Sequence, residues 1–180
     1  MTVKFLFGSI SLGLIFTAAP AMAQFSTNSG QDTILDADDV SSSKGVVTLS
    51  GQAEIRQGDV RLLAEKVRIY TGGNSGGIGI SSTSSIDRIE AEEDFYYLTA
   101  TQEVRGQKGV YTQASNNFVV TGDVILLQDD NIVTGDSLTY NLDTEEARVV
   151  SNCKGRKCGR NNRVRVLIKN SGSNANMPAS

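Results

Sequence analysis

The chain contains no histidine and no tryptophan, and only two cysteines and two prolines in 180 residues. Without histidine it lacks the commonest general base and the usual nitrogen ligand of zinc. Cys153 and Cys158 are too far apart for a C-x-x-C redox pair, and two thiols alone do not make a structural zinc set. No G-x-x-x-x-G-K-[ST] phosphate loop occurs. The glycine-rich run Gly72–Ser85 (GGNSGGIGISSTSS) lacks a strand-to-helix setting and reads as a flexible surface loop. Helical periodicity is missing throughout, so no helix of ordinary length is expected after residue 23. The acidic cluster Glu90–Asp94 (EAEED) reads as the wet side of a strand and its turn, not as a catalytic carboxylate pair. These absences argue against an enzyme, and no cofactor or metal is expected.

Charge of one sign is missing from the C-terminal part. Every acidic residue lies between Asp32 and Glu146, whereas Cys153–Lys169 is basic with no acid. The net charge of −3 makes no case for nucleic acid. At the other end, Lys4 precedes the apolar run Phe5–Ala19, and Ala21-Met22-Ala23 fits a small-x-small cleavage site. The expectation is a secretory signal over residues 1–23. An uncleaved anchor is the alternative, but the run is shorter than the roughly 20 residues that span a bilayer. Export makes a disulfide the default for Cys153 and Cys158. Its small loop is worth about 2 kcal/mol in the chain-entropy model. Residues 24–32 read as a flexible lead and 170–180 as a disordered tail.

What remains is strand. Thr33–Asp38 (TILDAD) can form a first one, and from Val46 to Val150 apolar residues alternate with polar ones. The segment Val47–Ile69 (VTLSGQAEIRQGDVRLLAEKVRI) also repeats without a gap in Phe118–Tyr140. Gly51 falls on Gly122, Gln57 on Gln128, Asp59 on Asp130 and Val67 on Leu138. A weaker copy lies between them, where Gly106–Tyr111 (GQKGVY) echoes Gly135–Tyr140 (GDSLTY). Arg163–Ile168 reads as a last strand.

Strict alternation gives each strand one dry and one wet face. Glu54, Arg56, Arg61, Glu65 and Arg68 must face water, because burying them unpaired costs several kcal/mol each. The dry face carries Leu49, Ala53, Ile55, Leu62, Ala64, Val67, Ile69, Phe95, Tyr97, Tyr111, Phe118, Val120, Val124, Leu126, Val133, Leu138 and Tyr140. No single repeat can bury this face alone, so stacked repeats must share an interior. Two shapes satisfy that: a tube with a solid core, or a folded-over sheet with a groove. Thr33, Gly109 and Gly135 put small or polar groups on the inward face, which is expected to loosen it for a guest. Neither Val47–Leu49 nor Val164–Ile168 is blunted by proline, so end-to-end pairing of copies is open to the fold.

Taken together, TILDAD at residue 33, VVTLSG at 46, AEKVRI at 64, FVVTGDVILLQ at 118 and NIVTGDSLTY at 131 resemble the LptA/OstA-like family of periplasmic lipopolysaccharide-transport proteins. The resemblance runs from about Thr33 to Ile168. It implies an all-β, folded-over, twisted β-jelly-roll of antiparallel strands with an internal apolar groove, over residues 33–169. It implies a periplasmic carrier of lipopolysaccharide that bridges an inner-membrane complex and an outer-membrane translocon by head-to-tail assembly. Carried over by position, Thr33, Leu35, Phe95 and Tyr111 would contact lipid, together with the inward Leu49, Ile55, Leu62, Ile69, Phe118, Val120, Leu126, Leu138 and Tyr140. Lys154, Arg156, Lys157 and Arg160, in the acid-free cluster, are the candidates for head-group phosphates; a solvated basic loop is the equal alternative. Two features depart from better-known members. The turn Thr71–Asn74 (TGGN) lacks Arg and Pro, and the basic loop between the cysteines is extra. A structural or adhesive β-repeat protein with a solid core, and a membrane-anchored component of the same pathway, are the alternatives.

Overall fold

The structure is a computed structural model that describes residues 31–72, 86–144, 146–153 and 163–169. The alternating segments form ten strands. They are β1 (Thr33–Asp36), β2 (Asp39–Ser43), β3 (Val46–Gln57), β4 (Val60–Thr71), β5 (Ile86–Leu98), β6 (Gln102–Thr112), β7 (Asn117–Gln128), β8 (Asn131–Asn141), β9 (Ala147–Val150) and β10 (Arg165–Leu167). One 3-10 turn, Gln113–Ser115, is the only helical element among the described residues. All strands belong to one antiparallel sheet ordered β1-β3-β4-β5-β6-β7-β8-β10, with β2 on β3 and β9 on β8. This is the all-β, jelly-roll-like arrangement expected.

The sheet folds along a line across the middle of its long strands. Register shifts occur between Ser50 and Ala53, Leu63 and Lys66, Glu92 and Phe95, Arg105 and Lys108, and Thr121 and Val124. At this crease β3, β5 and β7 each carry two consecutive residues with positive φ: Gly51–Gln52, Glu93–Asp94 and Gly122–Asp123. A left-handed pair inserts extra residues into one strand and bends it. The acidic cluster at Glu90–Asp94 is therefore a mid-strand bend, where a turn was expected. The three hairpins β3–β4, β5–β6 and β7–β8 are copies of one unit. From Glu93 to Gly122 the spacing is 29 residues; from Gly51 to Glu93 it is 42, and the longer interval contains the glycine- and serine-rich run outside the described residues.

The crease divides the sheet into two walls and breaks both of its edges. β2 covers β3 on one side of it and β1 on the other; β9 and β10 divide β8 in the same way. The first strand consequently stops at Asp36, two residues short of the expected end. The Asp38 amide then hydrogen-bonds the Gly51 carbonyl at 3.0 Å as the edge turns the corner. The serine-rich β2 carries little apolar alternation and was not expected. Across the fold the walls meet ring to ring. Phe118 of one wall lies with its centroid 5.4 Å from Phe95 and 5.1 Å from Tyr97 of the other.

Candidate functional site: the space between the walls

Cross-strand pairing aligns the dry faces into rows perpendicular to the strands. In the wall holding β1 and β10, one row runs Leu35, Ile55, Leu62, Tyr97, Val104, Leu126, Val133, Val166. In the facing wall, Val47, Ile69, Ile89, Tyr111, Phe118 and Tyr140 align, with Ser42 and Ala147 at the ends. Each row follows from alternation plus unbroken register. The first crosses eight strands and is apolar at every one. At a strand spacing near 4.8 Å it measures about 34 Å from edge to edge.

The row is buried in its middle and open at its end. Ile55, Leu62, Tyr97 and Val104 are buried, Leu35, Leu126 and Val133 are half-buried, and Val166 on β10 is 57% exposed. Of the other inward residues expected from sequence, Leu49, Ile69, Phe95, Tyr111, Phe118, Val120 and Leu138 are buried, while Thr33 and Tyr140 are half-buried. Between the rows lies a narrow apolar cleft of about 20 Å³, lined by Leu62, Ile89, Tyr97, Tyr111, Phe118, Tyr140 and Leu142. That is about the space of one water molecule. At this cleft the described residues of the two walls are in contact.

The expectation of a loosened interior is overturned at the glycines. A Cβ built on Gly109 would lie 2.5 Å from the Phe95 ring, and one on Gly135 would lie 2.5 Å from a Val149 methyl. Each glycine makes room for a neighbour's bulk, so neither leaves a void. Thr33 is likewise paired: its hydroxyl accepts a hydrogen bond from the Gln57 amide at 3.0 Å. Gln57 itself, 2% exposed, was not anticipated as a buried polar group. Ile89 and Leu142 were missed too. The 29-residue repeat would have revealed Ile89, which falls on Phe118, whereas Leu142 sits in a turn without alternation.

One wall's outer face is tied by charge. Glu92 on β5 accepts hydrogen bonds from Lys108 Nζ at 2.9 Å and Arg68 Nη1 at 2.8 Å. The Lys108 hydrogen bond, then that from Arg68, hold the Glu92 carboxyl below its ordinary value, and Glu92 in turn raises Arg68. Arg56 bridges Asp36 at 2.7 Å across β3 and β1. The two sheet edges differ in sign. Asp32, Asp36, Asp38 and Asp39 are exposed around β1, and no basic residue occurs between Lys4 and Lys44; Arg163, Arg165 and Lys169 are exposed around β10. Cys153 is half-buried and disulfide-bonded. Cys158, Lys154, Arg156, Lys157 and Arg160 lie outside the described residues. Among the described residues no three His, Cys, Asp or Glu side chains gather as metal ligands, and no helix is long and apolar enough to cross a membrane.

A search of curated proteins finds no match. Among solved structures, the chain is similar to LptH of Pseudomonas aeruginosa, described as the LptA-homologous periplasmic component of the conserved lipopolysaccharide transport device. The TM-score is 0.62 at 16% identity, over 78% of this chain and 96% of that one. At that identity the likeness establishes the fold. The family model described as LptA/(LptD N-terminal domain) LPS transport protein matches residues 35–146, more than half of the sequence. The chain therefore belongs to the LptA/LptD N-terminal-domain family of lipopolysaccharide transport proteins.

Proposed function

We propose that this transport protein carries the acyl chains of lipopolysaccharide between its two walls, and that it joins end to end with further copies to bridge the periplasm. The observation that carries this reading is the apolar row from Leu35 on one edge strand to Val166 on the other. A core built only for stability has no need to remain apolar out to a half-exposed edge. Each CH₂ transferred from water to such a surface gains about 0.8 kcal/mol, so several chains supply ample free energy to part the walls. Stacked units of similar affinity make a level path, and any push comes from a partner.

The edges support a polar stack. The acidic β1 edge and the basic β10 edge attract, while like ends repel. Continuing the sheet antiparallel places Val166 beside Leu35 of the next copy, Leu167 beside Ile34, and Arg165 beside Asp36. Ile34 and Leu167 are each 50% exposed on the outer face and would cover one another. The terminal copies would meet an inner-membrane complex and an outer-membrane translocon. The carrier unit would span residues 33–169 behind a cleaved signal, with Lys154, Arg156, Lys157 and Arg160 facing head-group phosphates.

A solid-core β-repeat protein is the second reading, favoured by the tight Phe95 packing. Photo-crosslinking amino acids at Phe95 and Tyr111 separate the two. Capture of lipopolysaccharide from either position is expected; failure at both, in folded protein, refutes the carrier reading.

A further inference from the structure

The inward face of the β1–β10 wall ends in a row of another chemistry. One step beyond the apolar row, towards the hairpin turns, the inward positions are Thr33, Gln57, Gln102, Gln128 and Asn131, interrupted by Val60 on β4. Parity fixes their direction. Gln57 follows Ile55, Gln102 precedes Val104, Gln128 follows Leu126 and Asn131 precedes Val133. A sheet folded at its crease opens along the side opposite the crease. The hairpin turns after β3, β5 and β7 form one lip of that opening. This lip is therefore faced inward by side-chain amides and a hydroxyl, none of them charged.

The row divides into a paired part and one that holds an unpaired acceptor. On β1 and β3 the Gln57 amide donates to the Thr33 hydroxyl at 3.0 Å. On β6, β7 and β8, Gln102, Gln128 and Asn131 are register neighbours, all half-buried. The carbonyl oxygen Oδ1 of Asn131 is buried and has no hydrogen-bond partner among the described residues. An unpaired buried acceptor is costly, and such groups rarely persist without a ligand, a water or a role. The position recurs by repeat, since Gln57 and Gln128 are 71 residues apart and Gln102 and Asn131 are 29 apart. Side-chain amides both donate and accept. They suit hydroxyl and amide groups better than phosphate, which is recognised by cations and backbone N–H groups.

We infer that the lip formed by Gln102, Gln128 and Asn131 is a binding subsite for the uncharged, hydroxyl- and amide-bearing sugar portion of the lipid whose tails lie between the walls. This rests on the carrier reading and adds to it a division of labour. The apolar row takes the tails without regard to their origin, and the amide row selects tails attached to an N-acylated sugar over a plain fatty acid.

The test compares two probes on the full mature chain: an N-acylated glucosamine disaccharide lipid and a saturated fatty acid of equal chain length. Gln128→Met and Gln102→Met keep side-chain size and remove hydrogen bonding; Asn131→Leu does the same at the third site. Losing one or two bonds should weaken glycolipid binding about three- to thirtyfold in the double Met variant. Fatty-acid binding should stay within twofold. Unchanged glycolipid affinity overturns the subsite, as does equal weakening of both probes, which would mark a structural role. Thermal midpoints verify folding, and the two Met variants are also measured singly, so one carries the test if the other fails to fold. If the wild-type chain binds neither probe, the carrier reading itself fails. If it binds both and the variants match it, only the subsite fails.

Discussion

Gly109 and Phe95 form a lock that can be tested by forcing and then relieving it. The methyl added by Gly109→Ala falls 2.5, 2.7 and 2.8 Å from three carbons of the Phe95 ring. Carbon atoms prefer about 3.5–4.0 Å, so one partner must retreat by roughly 1 Å. Phe95 is 0% exposed and leans on Phe118, which leaves it no free direction. Overpacking of this kind costs about 1–3 kcal/mol. Against that, alanine is better than glycine in a strand interior by roughly 0.5–1 kcal/mol. The net loss should be about 1–2 kcal/mol, which at a urea slope near 2 kcal/mol/M lowers the unfolding midpoint by about 0.5–1 M. Phe95→Leu alone removes ring volume and should cost about 1–3 kcal/mol, less than the roughly 3–5 of truncation to alanine. In the double variant the methyl occupies space the ring has vacated. The two losses should then fall short of their sum by about 1 kcal/mol or more. Urea titration of the four proteins at 25 °C measures this. A neutral Gly109→Ala, or additive losses, would show that the glycine does leave a void and that the interior is loose.

Other consequences follow from the crease, the outer face and the edges. Glu93 holds φ 66 where its repeat partner is glycine, so Glu93→Gly should stabilise the fold by up to about 1 kcal/mol, while Gly122→Ala at φ 84 should destabilise it by about 1–2; thermal or urea midpoints read both signs. The Glu92 carboxyl is depressed below its ordinary value of 4.5 by Lys108 and Arg68, so its stabilisation is full above that value and lost as pH falls through the lower folded one. Glu92→Gln should therefore flatten the acid limb of the stability–pH curve and matter less in high salt. If copies join end to end as proposed, Arg165→Asp should weaken the association by several-fold and adding Asp36→Arg should restore it, as followed by sedimentation at rising concentration; equal association of all three proteins would remove this pair from the proposed joint.

The strands were legible because charge and apolar residues take turns along them. Val47, Leu49, Ala53 and Ile55 on β3, with Glu54 and Arg56 between, leave one workable orientation. The repeat was legible where glycine marks the crease, at Gly51 and Gly122. It was faint at Glu93–Asp94, because nothing in an acidic dipeptide announces a left-handed bend; the surrounding register imposes it. The inserted run after Thr71 hid the 29-residue period further, and Ile89 was lost with it. Small residues were misjudged for a different reason. A glycine shows where a side chain is missing but not whose atoms fill the place, and Phe95 at Gly109 is a contact formed across the bend. The amide row was invisible in sequence because its members come from five strands and meet only through register.

Walls that touch through their rings and a carrier role meet in one energetic requirement. The rows that would line lipid also pack against each other when none is present, as the Phe118 contacts with Phe95 and Tyr97 show. Parting the walls exposes both faces unless acyl chains cover them at once, so an empty open state is costly and a filled one is not. Under the carrier reading, lipid should then stabilise the fold by mass action, by about 2.7 kcal/mol at a hundredfold excess over Kd. Its midpoint should rise with lipid concentration. Phe118→Ala should enlarge this rise, since it loosens the contact between the walls more than the lipid-filled state: the empty protein loses about 3–5 kcal/mol, while the filled one loses less because lipid occupies part of the cavity. Calorimetry with and without lipid gives both numbers. A larger loss in the filled protein would mean that Phe118 serves the lipid alone, and that the walls do not trade one apolar partner for another.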